Sequence, residues 1–130
     1  MTASTLYIED GRFDRLVFAT HFKAMRRDDL TLDCVDSVES AVHAIQACMP
    51  AIVFLDNRVP PYDSFEESLA VLVDAGFAGP VVLVTGLPTD EMQQAVDGVG
   101  PVCALLDKIQ LTSRRLTEVI TPLLARLPNG

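Results

Sequence analysis

Ala51-Ile52-Val53-Phe54-Leu55-Asp56 is the stretch that decides the fold. Five apolar residues in succession, preceded by Pro50 and stopped by a carboxylate, read as a strand. A strand with one wet face alternates apolar and polar side chains, whereas an unbroken apolar run is covered on both faces. Ala51–Leu55 is therefore expected at the centre of a sheet with helices on either side. Val81-Val82-Leu83-Val84 is a second run of the same kind and predicts another central strand. Between them Pro60-Pro61 breaks the chain, and Ser64–Ala75 predicts a helix ending at Gly76 as its C-cap residue.

The same alternation continues outward. Toward the N-terminus, Thr5–Ile8 predicts a strand that stops at Glu9-Asp10-Gly11. Arg12–Arg27 carries Phe13, Leu16, Val17, Thr20 and Ala24 at helical spacing, and Leu30–Val35 predicts the second strand. Asp36-Ser37-Val38-Glu39 has the look of a capping box, with Asp36 or Ser37 as N-cap and Glu39 reaching back, for a helix to about Ala47. Toward the C-terminus follow a short helix over Thr89–Val96, a fifth strand over Val102–Leu106 and a closing helix over Thr112–Leu127. Pro122 predicts a kink or late break in that last helix. Five βα units imply a parallel five-stranded α/β sheet, doubly wound, with helices on both faces.

Composition narrows the function. The 130 residues hold 10 Lys+Arg against 18 Asp+Glu, a formal net charge of −8, which offers no basic face for nucleic acid. With 49% hydrophobic residues the chain can bury a full core, and its length suits one domain. Its apolar runs fall far short of the roughly 18–20 residues that a membrane-spanning helix needs. The N-terminus has no basic segment followed by an apolar stretch, so no signal peptide is expected. Cys34, Cys48 and Cys103 form an odd set without metal-ligand spacing and read as reduced, buried small hydrophobes of a cytoplasmic protein.

In an open parallel sheet chemistry gathers beyond the carboxyl ends of the strands. The residues expected there are Glu9 and Asp10 after strand 1, Asp56 after strand 3, Thr85 after strand 4 and Asp107-Lys108 after strand 5. Carboxylates packed on one rim repel one another, which a raised pKa or a bound cation must relieve. A hard cation such as Mg²⁺ suits two or three carboxylates on one side.

Taken together, Glu9-Asp10, Asp56 with Pro60 after it, Thr85-Gly86 and Lys108 resemble the site of the receiver domain of bacterial two-component response regulators. The resemblance spans about residues 5 to 127 and implies a flavodoxin-like, three-layer (βα)5 fold. It implies that Asp56 accepts a phosphoryl group from a phosphohistidine on a histidine kinase or histidine phosphotransfer protein. Asp10 and Asp56 would bind Mg²⁺ (or Mn²⁺) directly, with the backbone carbonyl of Arg58 as a further ligand and Glu9 acting through water. Lys108 would pair with a phosphoryl oxygen or, before transfer, with Asp56. The Thr85 hydroxyl would bond another phosphoryl oxygen, Gly86 would leave room for the donor, and the Arg58 side chain would tune access of water. His21 and His43 are not expected to be donors. Output would pass to a downstream protein through the fourth helix, strand 5 and the last helix, without turnover of a separate substrate.

Three positions depart from that pattern. Ile109 follows Lys108 where the family usually has a proline in a cis peptide, so a trans loop or a strained one is expected. Leu105 stands where an aromatic switch residue is common, which shifts the expected coupling onto the Thr85–Pro88 loop and the short fourth helix. Glu9 replaces the commoner aspartate. A pseudo-receiver that acts without phosphorylation is the main alternative. A small Mg²⁺-dependent phosphohydrolase would want an acid two residues after Asp56, where Arg58 stands.

Overall fold

Helix starts in this chain are set by side-chain oxygens. Ser37, Ser64, Thr89 and Thr112 each accept a hydrogen bond from a first-turn backbone N–H, from Ser40, Glu67, Met92 and Arg115 respectively. In the computed structural model, which describes residues 2–126, these caps open α2 (Val38–Ala47), α3 (Phe65–Asp74), α4 (Asp90–Asp97) and α5 (Ser113–Leu124). Only α1 (Arg12–Ala24) among the five starts without a side-chain cap, at Gly11. Between the helices run β1 (Ala3–Ile8), β2 (Leu30–Val35), β3 (Ile52–Asp56), β4 (Val81–Thr85) and β5 (Val102–Asp107).

The strands form one parallel sheet in the order β2-β1-β3-β4-β5, the flavodoxin-like winding. Every residue of β3 and β4 is buried, as their unbroken apolar runs predict. Alternate side chains divide between two cores. Ile8, Leu55 and Leu83 face α2, α3 and α4, where Ala41, Leu72 and Met92 meet them. Tyr7, Phe54 and Val84 face α1 and α5, where Phe18, Leu116 and Ile120 close the other layer. Tyr7 stacks on Phe18 with ring centroids 4.1 Å apart, and Phe18 packs tilted against Phe54.

Several sequence expectations need correction. Ser37 alone is the N-cap of α2, and the residue at its third position is Ser40, whose hydroxyl accepts from Ser37 Oγ; Glu39 lies one residue too early to close a capping box. The reach-back occurs instead at α3, where Glu67 Oε2 accepts from the Asp63 N–H. β1 begins at Ala3, because Ala3 and Ser4 pair with Leu30 and Thr31 on the edge strand. α1 stops at Ala24, short of Arg27. α3 ends at Asp74 with Ala75, not Gly76, as its C-cap, and Gly76 follows it: with φ of 104°, Gly76 N–H donates to the Val73 carbonyl and lets Phe77 N–H reach the Leu72 carbonyl, the pairing of a Schellman motif. α5 runs two residues past Pro122 and stops at Leu124, where Ala125 is its C-cap and Arg126 already lies in a turn, short of the expected Leu127, which is itself outside the described residues. The cysteines are free but not buried. Cys34 lies on edge strand β2 and Cys48 ends α2, both exposed, while half-buried Cys103 is the extra residue of a β-bulge on β5, between the pairs Val81–Val102 and Val82–Ala104.

Candidate functional site

The alternation that sends Tyr7, Phe54 and Leu106 toward α1 and α5 carries on past the strand ends and places Glu9, Asp56 and Lys108 on that same side. β1 and β3 are neighbours, so the first two meet directly; Lys108 reaches them from beyond β4. Its Nζ bonds Glu9 Oε1, lies 3.0 Å from Asp56 Oδ1 and lies 3.1 Å from Asp14 Oδ2. The contacts with Glu9 and Asp14 are hydrogen bonds, and that with Asp56 is an ion pair. The Asp56 side chain is 12% exposed and that of Lys108 20%.

Glu9 is the most enclosed member, with a side chain 2% exposed. The Tyr7 hydroxyl donates to its Oε1 at 3.4 Å, the Gly11 N–H to its Oε2 at 3.3 Å, and Arg15 Nη1 to its backbone carbonyl at 2.8 Å. Burial raises the Glu9 pKa to about 7, with the Asp56 charge adding to the rise and the Lys108 ammonium opposing it. Burial works against the charge on Lys108, yet its bonds to Glu9, Asp56 and Asp14 outweigh this and hold it above its ordinary value. Asp14 is held below the usual carboxylate range: burial acts upward on it, and the bonds to Lys108 and Glu9 prevail. Burial pushes the Tyr7 phenol far up, reinforced by the charges of Glu9, Asp56 and Asp14, so it stays a donor.

Asp10 is exposed, but a carboxylate oxygen of Glu9, one of Asp10 and one of Asp56 all lie within 4.8 Å of one another. Of this acidic pair Glu9 is buried and Asp10 exposed. Thr85 is buried at the end of β4, and its hydroxyl accepts from the Leu87 N–H at 3.2 Å, which folds it into its own loop. Gly86 borders open space where an added Cβ would meet nothing within 4 Å. Together with Tyr7, Phe13, Asp14, Lys108 and Ile109 it lines a cleft of about 390 Å³ beside the carboxylates. The Arg58 side chain points away, toward Asp63 at 3.8 Å, with both groups largely exposed. Leu105 packs against the α4-side core.

The Lys108–Ile109 peptide is trans, as one of the two expectations for that loop had it, and Lys108–Gln110 form a single 3₁₀ turn. Two participants were not foreseen. Asp14 sits in the first turn of α1, where projecting that turn toward the strand ends would have flagged it. Tyr7 reads as one more core residue of β1, and nothing in its neighbours announces the bond to Glu9.

No family model and no curated protein matches the sequence. Solved structures do match. A signal receiver domain from Vibrio parahaemolyticus superposes with a TM-score of 0.80 at 17% identity, over 97% of this chain and 92% of that one. The response regulator domain of Thermotoga maritima CheB gives 0.72 at 16% identity, over 96% of each chain. A CheY-like response regulator receiver domain from Methylobacillus flagellatus gives 0.69 at 17%, over 95% and 99%. The chain has the fold of response-regulator receiver domains across nearly its whole length. Among the described residues no helix is long and apolar enough to cross a membrane.

Proposed function

We propose that the chain is a single receiver domain that accepts a phosphoryl group on Asp56 from a phosphohistidine protein, a histidine kinase or a histidine phosphotransfer protein. The observation that carries this reading is the placement of the Lys108 ammonium 3.0 Å from Asp56 Oδ1, at a rim where Glu9 and Asp10 add two further carboxylates. The donor set is all carboxylate and fits a hard divalent cation. Glu9, Asp10 and Asp56, with the Arg58 backbone carbonyl, would hold Mg²⁺ or Mn²⁺, which when bound supplies charge neutralisation for a phosphoryl group.

Asp56 supplies the nucleophile. As its Oδ–P bond forms, the P–N bond of the phosphohistidine breaks, and the electron pair stays on the imidazole nitrogen, which takes a proton from water. Lys108 then bonds a phosphoryl oxygen. Thr85 Oγ1 accepts from the Leu87 N–H and keeps its own hydrogen to donate to another, which ties occupancy of the site to the Thr85–Pro88 loop and α4. With 8 residues, α4 is marginal alone and readily shifted. The signal leaves through protein contacts on the α4, β5 and α5 face in a cytoplasmic setting, with self-phosphorylation and autodephosphorylation as the only chemistry.

Incubation with Mg²⁺ and acetyl phosphate tests this. Intact-mass measurement should show one added phosphoryl group, lost with Asp56→Asn or with chelator. The bond between Thr85 and the Leu87 N–H and the pairing of Lys108 with three carboxylates favour a second reading, a pseudo-receiver that keeps this arrangement permanently. An unmodified wild-type protein that also ignores beryllofluoride would decide for that reading.

A further inference from the structure

We infer that Asp14 is a positioning residue for Lys108: it is the partner that the lysine releases when a phosphoryl group arrives, and so it sets how readily the site is occupied. This rests on the phosphoacceptor reading of Asp56. Lys108 Nζ hydrogen-bonds Glu9 and Asp14 and pairs with Asp56, so three carboxylate oxygens surround it. A phosphoryl oxygen enters a shell that already holds three carboxylate oxygens, and release of one of them makes room for it.

The three partners are not equally easy to give up. Glu9 has a side chain only 2% exposed, with no room for water to take the lysine's place, so releasing it is the most costly of the alternatives. Asp56 carries the incoming group itself, and Lys108 must stay beside it. The Asp14 side chain is 45% exposed, so water replaces the lysine there at small cost. Asp14 also lies on α1, far along the chain from Lys108, and so the exchange frees the first turn of α1 from the β5 end. Before exchange, its negative charge opposes a second anion at the same rim.

The test uses the full chain with saturating Mg²⁺, beryllofluoride as the phosphoryl mimic, and NMR of the Lys108 ammonium nitrogen. Asp14→Asn should shift that signal in the free protein and leave it coincident with wild type once beryllofluoride is bound. The variant should bind beryllofluoride about threefold more tightly, the scale of a half-exposed ion pair. Asp14→Glu should restore both wild-type readings, which a purely structural contribution of an acidic residue to the start of α1 would not predict for the Lys108 signal. A wild type that binds beryllofluoride while Asp14→Asn leaves the free-state signal unmoved, or binds no more tightly, overturns the inference alone. A wild type that binds none overturns the phosphoacceptor reading and the inference with it.

Discussion

β3 and β5 end alike in sequence, Leu55-Asp56 and Leu106-Asp107, and differently in space. β3 has a strand on each side, and its aspartate faces a rim already holding Glu9, Asp10 and Lys108. β5 is an edge, and its aspartate turns back on its own chain: Asp107 Oδ1 accepts from the Ile109 N–H at 2.8 Å and caps the 3₁₀ turn that begins with Lys108. One carboxylate joins the cluster at the rim and the other braces the lysine that reaches into it. The role follows from how many neighbouring strands deliver side chains to the same place.

The largest effect that separates the two ends is in packing. Leu55→Ala should cost about 3–4 kcal/mol and Leu105→Ala, half-buried on the edge, about 1–2 kcal/mol, read from urea unfolding. Equal losses would mean that the edge is as tightly held as the centre. Next comes pH. Glu9 belongs to the central rim, and burial raises its pKa from 4.5 to about 7, so the folded protein holds this proton more tightly than the unfolded chain does. That contribution to stability is fully present below about pH 4.5 and is lost as pH rises to about 7. In chelator, Glu9→Gln should remove a fall of up to about 3 kcal/mol across this window, while Asp107→Asn should leave the fall in place. Parallel curves for wild type and Glu9→Gln would show that the glutamate is not held in a raised state. The smallest effect is in metal affinity by calorimetry: Asp56→Asn should weaken Mg²⁺ binding by about tenfold or more and Asp107→Asn by less than about twofold. Similar losses from both would erase the distinction between the two aspartates.

The central strands were legible because burial on both faces leaves an unbroken apolar run, a signal that needs no partner to be read. The rim residues Glu9, Asp56, Thr85 and Lys108 were legible as strand ends, since a parallel sheet aligns those ends. Depth at the rim was not. Glu9 and Asp10 are adjacent in sequence, and only the pleat decides which of them turns toward Lys108. Asp14 escaped because its partner is remote in sequence and its own helix explains an acidic first-turn residue without it. The cysteines were misjudged because residue type predicts burial only on average, and two of the three stand at an edge strand or at the end of a helix.

The bulge at Cys103 gives β5 a spare residue. Upstream of it Val102 faces the α4-side core, and downstream Leu105 faces that same core while Leu106 faces the other, in step with Leu83 and Val84. Removing either Cys103 or its neighbour Ala104 would leave one residue between Val102 and Leu105 and restore plain alternation without turning over any side chain from Leu105 to Lys108. One-residue length variation in this strand is thus tolerable at the bulge, where the chain carries two small side chains, Cys103 and Ala104.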